Sequence, residues 1–265
     1  PGRQAQFNVA IRTVLTDRRS GRAEYGVGGG IVWDSKAASE AAEWATKARV
    51  LRQDSPDFCL LETLLWTPEA GYALLERHLS RLAASAEYFD RPCPLPALRD
   101  RLAAAAAGWS AAQRVRLLLD ASGAVTLEAS ALQPLPRPYR LCLARRPVVS
   151  TDRFLYHKTT LRQTYQDALA GRPGFADVLL WNDRGELTES CLANLVVELD
   201  GAWVTPPLRC GLLPGTCRAE LLAAGQIRER VVRVADLPRC TRVRLANSVR
   251  GLWDVEVVAA PGDSR

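Results

Sequence analysis

Of the 35 basic residues in this chain, only Lys36, Lys47 and Lys158 are lysines. Arginine serves most solvated-surface purposes, but it stays protonated and can neither act as a base nor form a Schiff base. A lysine is therefore informative here, and Lys158, within Tyr156-His157-Lys158-Thr159-Thr160, is the only one beyond the first fifty residues. Its chemistry would be attack on a carbonyl followed by proton transfer, provided its surroundings lower its pKa enough to free the amine. Downstream, Leu213-Pro214-Gly215-Thr216-Cys217-Arg218 stands ahead of an expected helix. Backbone N–H groups of Thr216 and Cys217 at such a helix start would suit a phosphate. Near the beginning, Gly28-Gly29-Gly30 would let backbone N–H groups approach a carboxylate closely, and Glu43 and Lys47, four apart, would share one helix face.

The elements that must position these groups alternate between strand and helix. Asn8–Leu15 alternates apolar and polar residues, Thr16–Arg22 is a charged turn, and Tyr25–Trp33 is a glycine-rich return strand, so a hairpin is expected. Ser39 caps a helix that runs to about Leu51, and Asp54-Ser55-Pro56-Asp57 marks a boundary. Paired strands are expected at Phe58–Trp66 and Tyr72–Leu75, then helices at Glu76–Phe89 and Leu98–Ala107. Strands at Val115–Leu119, Val125–Ala129 and Tyr139–Leu143 follow, with Pro134, Pro136 and Pro138 as a stiff connector between two subdomains. The second half offers helices at Leu161–Leu169 and Arg218–Ala224. Its expected strands are Asp177–Trp181, Leu195–Leu199, Trp203–Val204, Val231–Val234, Val243–Ala246 and Val255–Val258. With no internal repeat, this mixture predicts an α+β enzyme-like fold.

Composition narrows the function. At 265 residues, 48% hydrophobic and 24% charged, the chain has the profile of a globular protein with a sizeable core. No apolar run approaches the ~18 residues a membrane span needs, and Pro1-Gly2-Arg3-Gln4 lacks the apolar centre of a signal peptide, so no membrane role and a cytoplasmic location are expected. Seven scattered cysteines without a C-x-x-C pair suggest neither a disulfide framework nor a zinc site. The net charge of +6 is spread along the chain rather than concentrated in a basic run, which argues against nucleic acid as a partner. The absence of methionine suggests a removed initiator or the C-terminal part of a longer chain.

Three segments taken in order resemble the fold-type IV pyridoxal-phosphate enzymes, which comprise the branched-chain and D-amino-acid aminotransferases and the aminodeoxychorismate lyases. They are Tyr156-His157-Lys158-Thr159-Thr160, Leu187-Thr188-Glu189-Ser190-Cys191-Leu192-Ala193-Asn194 and Gly211-Leu212-Leu213-Pro214-Gly215-Thr216-Cys217-Arg218. The resemblance covers about residues 58–258 and implies two α/β subdomains, 56–137 and 138–265, with pyridoxal 5'-phosphate between them. It implies that Lys158 forms the Schiff base and Glu189 faces the pyridine nitrogen. Arg81, within His78-Leu79-Ser80-Arg81-Leu82, together with Thr216, Cys217 and Ser248, would hold the phosphate. Arg250 and Thr63 are expected on the substrate side. One departure is informative: the family's aminotransferases carry a tyrosine five positions after the lysine, where this chain has Gln163, with Tyr165 two residues on. The lyases do not keep that tyrosine as a rule, so the departure points towards them.

The first 53 residues resemble the C-terminal end of the chorismate-binding domain of aminodeoxychorismate synthase component I and anthranilate synthase. The matching segments are Val9–Thr13, Gly26–Ser35 and Glu40–Lys47. The resemblance implies a remnant chorismate site of Arg12, Gly28, Gly29, Gly30 and Lys47. Glu43 would bind Mg2+ only in an intact domain. The expected activity is pyruvate elimination from 4-amino-4-deoxychorismate to give 4-aminobenzoate for folate biosynthesis, in the C-terminal part of a bifunctional synthase and lyase. A homodimer and a glutamine amidotransferase partner are implied. The alternative is a branched-chain or D-amino-acid aminotransferase sharing every cofactor residue, and a different class is a non-catalytic scaffold.

Overall fold

The computed structural model describes residues 13–52 and 56–260 and divides the chain into two units, Pro1–Asp57 and Phe58–Arg265. In the first unit, strands β1 (Val14–Asp17) and β2 (Arg22–Tyr25) form an antiparallel hairpin, and helix α1 covers Ala37–Arg52. The hairpin turn is fixed by Asp17, whose carboxylate accepts from the Arg19 N–H and the Ser20 hydroxyl, and by Gly21 at φ +68°. The return strand expected to reach Trp33 stops at Tyr25. Gly26, Gly28, Gly29 and Gly30 offer no side chains to pack on a pleated surface, and this stretch has no ladder partner among the described residues. The part of the first expected strand before Thr13 lies outside the described residues.

The second unit is built on two sheets. The smaller contains β3 (Leu60–Thr67), β4 (Gly71–Tyr72), β5 (Gln113–Leu119) and β6 (Val125–Ala131) in the order β4-β3-β5-β6, all antiparallel. Side chains alternate across a strand, so Leu60, Leu64 and Trp66 of β3 and Val115, Leu117 and Leu119 of β5 share one apolar core. Helix α2 (Leu75–Tyr88) covers that face with a stripe of buried residues, His78, Leu79, Leu82, Ser85 and Ala86, at helical spacing. Helix α3 (Leu95–Ala106) adds Leu98 and Leu102. The opposite face of the same two strands presents Leu61, Thr63, Arg114 and Arg116 to a cavity.

The larger sheet comprises β7 (Arg140–Leu143), β8 (Asp177–Trp181), β9 (Leu187–Ser190), β10 (Asn194–Leu199), β11 (Ala202–Thr205), β12 (Arg228–Glu229), β13 (Arg242–Asn247), β14 (Gly251–Asp254) and β15 (Glu256–Val257). Its path runs β12-β11-β10-β9-β8-β7-β15, with β13 pairing to β10 and β14 to β13. Helix α4 (Gln163–Ala170) packs against β8, and α5 (Thr216–Ala223) against β13.

Three strands, β9, β12 and β14, were not expected from sequence, and β12 is only two residues long. β9 is buried on both faces and so lacks alternation, and β14 contains only four residues beginning with glycine. The expected strand at Val231–Val234 is instead irregular backbone with one bridge, Glu186 to Arg233, leading into a 3-10 helix at Val234–Arg239. Val232 is apolar because it fills the core, not because it alternates in a ladder. Among the described residues, no helix is long and apolar enough to cross a membrane.

Candidate active site

In the second unit a cavity of about 340 Å³ is lined by Lys158, Glu189, Arg81, Thr216, Ser248, Thr63 and Arg250. Seven of the eight residues singled out in this region by sequence therefore meet in one place. The eighth, Cys217, does not line the cavity. Its side chain packs with Val196, Ile227 and Ala246, and burial pushes its thiol pKa up. Only its backbone N–H, in the first turn of α5, remains available for the expected contact.

Lys158 is delivered by a segment that lies along β3. The Leu61 N–H donates to the Lys158 carbonyl at 2.9 Å, the Thr160 N–H donates to the Cys59 carbonyl at 2.9 Å, and Thr159 bridges Leu60. These bonds fix the backbone of Lys158 beside the cavity face of β3. Burial, then the charges of Arg81 and Arg162, bring its amine down to about 8, with Glu62 and Glu189 opposing. A substantial fraction is therefore neutral near physiological pH, as a nucleophile or base requires.

Glu189 lies near the end of β9 and faces Asn194 at the start of β10, the single paired position of that hairpin. The intervening turn is held by the Ser190 hydroxyl, which accepts from the Leu192 and Ala193 N–H groups, and by the Asp177 carboxylate, which accepts from the Cys191 N–H at 2.9 Å. Glu189 Oε1 accepts from the Tyr165 hydroxyl at 2.8 Å and the Leu213 N–H at 3.2 Å, and Oε2 accepts from Asn194 Nδ2 at 3.1 Å. Burial pushes this carboxyl up to about 7, against the Tyr165 and Leu213 bonds and the charges of Lys158 and Arg162.

Arg81, on α2, reaches across to β3 and to the loop before α5. Its Nε and Nη2 donate to the two oxygens of Glu62 at 2.8 and 2.6 Å, and Nη1 donates to the Pro214 carbonyl at 3.0 Å. His78 Nδ1 donates to Glu62 Oε2 at 2.7 Å, and its Nε2 faces Thr216 Oγ1 at 3.3 Å. Burial alone would raise the Glu62 carboxyl, but the Arg81 charge and the bonds from Arg81 and His78 hold it at about 2. Gly215 precedes α5 because nothing larger fits: a Cβ there would lie 1.8 Å from Asn194 Oδ1. Ser248 Oγ donates to the Thr63 carbonyl at 3.2 Å, which ties two expected site residues together.

The cavity also contains groups that sequence reasoning did not select. Arg162 lies four residues after Lys158, donates to the Cys191 carbonyl and stacks with its guanidinium carbon 4.3 Å from the Tyr165 ring centroid. Arg114 and Arg116 of β5 line the same space, and Arg250 donates to the Gln133 carbonyl beside them. Burial, then the charges of Arg116 and Arg250, lower the Arg114 pKa. Alternation of Arg114 and Arg116 against the apolar β5 residues was the available signal. Trp253 lines this end too, and its buried indole N–H has no acceptor among the described residues. Gln163, at the position where the related aminotransferases carry tyrosine, instead donates to Asp167 on the exposed side of α4. Tyr165 is the residue that reaches the cavity.

In the first unit, Glu43 and Lys47 form an ion pair at 2.7 Å along α1, and Lys47 Nζ donates to the Gly28 carbonyl at 3.0 Å. Glu40 and Trp44 lie against Gly29, while Gly28 and Gly30 are open. Arg12 lies outside the described residues. Among the described residues no three His, Cys, Asp or Glu side chains gather as a metal site.

Residues 59–258 match the family described as "Amino-transferase class IV", and residues 1–53 match "chorismate binding enzyme". A Schizosaccharomyces pombe protein named "Putative aminodeoxychorismate lyase" is 34% identical over 212 residues, which is 76% of this chain and 90% of that protein. Among solved structures, a Mesorhizobium loti protein named "Putative amino-acid aminotransferase" is 37% identical with a TM-score of 0.72, covering 76% of this chain and all of that one. The 4-amino-4-deoxychorismate lyase from Pseudomonas aeruginosa is 27% identical with a TM-score of 0.64, covering 76% of this chain and 83% of that one. Through residues 59–258, the chain belongs to the class IV amino-transferase family.

Proposed function

We propose that the second unit is a 4-amino-4-deoxychorismate lyase that releases pyruvate and 4-aminobenzoate. The observation that carries this reading is a lysine with a lowered pKa sharing one cavity with a cluster of arginines, in a chain 34% identical to the fission-yeast relative over 90% of its length. The family is dependent on pyridoxal phosphate, and the cavity residues fit that group. The first turn of α5 offers the Thr216 and Cys217 N–H groups, and Arg81 stands beside them for a phosphate. Glu189 keeps one acceptor position on Oε2 for a ring N–H, and Lys158 supplies the amine.

When bound, the cofactor would supply an electron sink adjacent to the substrate's amino group. Lys158, neutral in a substantial fraction, removes the proton from C4 of the substrate. The bond from C3 to oxygen then breaks, the enolpyruvyl group takes up a proton as pyruvate, and the ring becomes aromatic. Glu189 holds the pyridine end in its protonated form. Arg250 and Arg114 bind the substrate carboxylates, and Thr63 lines the same face.

The match of residues 1–53 to the chorismate-binding family supports the further reading of a synthase joined to the lyase, with a glutamine amidotransferase as ammonia donor and a homodimer of lyase units. In that reading, Arg12, the Gly28–Gly30 run, Glu43 with Mg2+ and Lys47 complete a chorismate site only with the rest of that domain.

The test is incubation of the pyridoxal-phosphate-loaded chain with aminodeoxychorismate, following 4-aminobenzoate by fluorescence and pyruvate by a coupled assay. Equal amounts of both products, lost in Lys158→Ala, are expected. The 37% identity to the aminotransferase-named structure keeps a second reading in view. Transfer of an amino group from an amino acid to 2-oxoglutarate, with no 4-aminobenzoate formed, would establish that one instead.

A further inference from the structure

A carboxylate offers about four lone-pair positions to donors. Among the described residues, three are taken at Glu189: Oε1 by the Tyr165 hydroxyl and the Leu213 N–H, Oε2 by the Asn194 amide. The one left belongs to Oε2, on a side chain that lines the cavity. The three donors come from three elements: α4, the loop before α5, and β10. The carboxylate plane is thereby defined at both oxygens.

Tyr165 differs from the other two donors in how it is held. It is buried, its ring lies 4.3 Å from the Arg162 guanidinium, and its backbone carbonyl accepts from the Cys191 thiol at 3.4 Å. Arg162 is itself tied to the Cys191 carbonyl. The segment after Lys158 and the turn after Glu189 are therefore laced together at Cys191 on both sides, with the phenol oxygen aimed at Glu189. Here burial and the adjacent Glu189 charge hold the Tyr165 proton firmly, so the hydroxyl remains a donor throughout the working pH range.

We propose that Tyr165, clamped under Arg162, is a positioning residue that orients the Glu189 carboxyl and favours its ionised form, leaving a single lone pair open to the cavity. The inference rests on the reading of this cavity as a pyridoxal-phosphate site. Tyr165 thus acts on the pyridine end through Glu189. The charged and titratable groups facing Glu189 are Tyr165, Lys158 and Arg162. Burial favours the neutral acid, so losing the strongest opposing hydrogen bond leaves Glu189 protonated to higher pH.

The experiment is carbon-13 carboxyl NMR titration of the cofactor-free chain, with Glu189→Gln identifying the resonance. In Tyr165→Phe the Glu189 midpoint should rise by about one pH unit, a tenfold change in proton affinity. Gln163→Ala should leave it in place. In the loaded protein, Tyr165→Phe should release pyridoxal phosphate several-fold faster. An unchanged midpoint in a folded Tyr165→Phe protein overturns the proposal. Should that variant not fold, infrared difference spectra of wild type against Glu189→Gln carry the test: the phenolic C–O band of one tyrosine must shift, and its constancy overturns the proposal. Failure of the wild-type chain to bind pyridoxal phosphate would sink the cofactor reading, while the cofactor-free titration would still judge the Tyr165 contact.

Discussion

Arg81 grips Glu62 through two parallel hydrogen bonds of 2.8 and 2.6 Å, and the carboxylate is only 2% exposed. The pair joins β3 to α2, and the third arm of Arg81 reaches the loop that starts α5. Glu62 sits on the core face of β3, where Leu60 and Leu64 are its neighbours along the strand. Only a fully bonded partner makes a charge tolerable there.

Removing one member of that pair should therefore be costly. Glu62→Gln is expected to destabilise the fold by roughly 3–5 kcal/mol, because the Arg81 charge is left uncompensated. Urea unfolding measures this, and a loss below about 1 kcal/mol, the level of a surface ion pair, would refute it. The pH dependence follows from the sign of the shift. The Glu62 carboxyl is held at about 2 when folded against 4.5 ordinarily, so its contribution is complete above pH 4.5 and is lost as pH falls towards 2. Wild type should lose stability across that window, and Glu62→Gln should lose less.

Lys158 should be the lysine most reactive to aldehydes at mild pH. Reductive labelling with pyridoxal phosphate and borohydride should rise with a midpoint near 8, well below that of an ordinary lysine. Arg162→Gln should move this midpoint upwards, since one of the charges opposing the ammonium is gone. Lys158→Ala should lower turnover by on the order of 10²–10⁴-fold, as expected for loss of a positioned proton-transfer group. Peptide mapping of the label and steady-state rates check the two claims.

Gly215→Ala places a methyl group 1.8 Å from Asn194 Oδ1. Asn194 holds both Glu189 and the Leu213 carbonyl, so displacing it loosens both ends of the site. A loss of roughly 1–3 kcal/mol is expected from overpacking, with weaker cofactor retention. Thermal unfolding with and without pyridoxal phosphate separates the two effects.

Cys217 and Arg114 give opposite outcomes. Cys217→Ala should leave turnover unchanged and lower stability by about 1 kcal/mol, as for a small core cavity. Arg114→Gln should leave stability nearly unchanged and raise KM for a dicarboxylate substrate by about 10–100-fold, the value of one charge-assisted hydrogen bond. Steady-state kinetics beside denaturation curves resolve the pair.

Much of this was legible in the residues themselves. Lys158 stands out because lysine is scarce. The start of α5 is written in Pro214-Gly215, and α2 in its helical apolar spacing. The break at Asp54–Asp57 shows as a run of turn-forming residues, and the chain divides between Asp57 and Phe58. These are local signals: each depends on backbone conformation or chemical type within a few residues, which sequence carries directly. What required the tertiary structure was the distance between segments. β9 has no alternation because both its faces are covered, and only the fold reveals those covers. Cys217 and Thr216 are neighbours, yet the helical turn sends one side chain into the core and the other towards His78. Arg114 and Arg162 become site residues only where the cavity face of β5 and the segment after Lys158 converge. Tyr165 is separated from Glu189 by 24 positions, and the hydrogen bond between them exists only because α4 packs on β8 and the β9–β10 turn folds over it. Residue type sets which chemistry is possible, and long-range packing sets which groups are desolvated together, since burial and neighbouring charge depend on every element around a site.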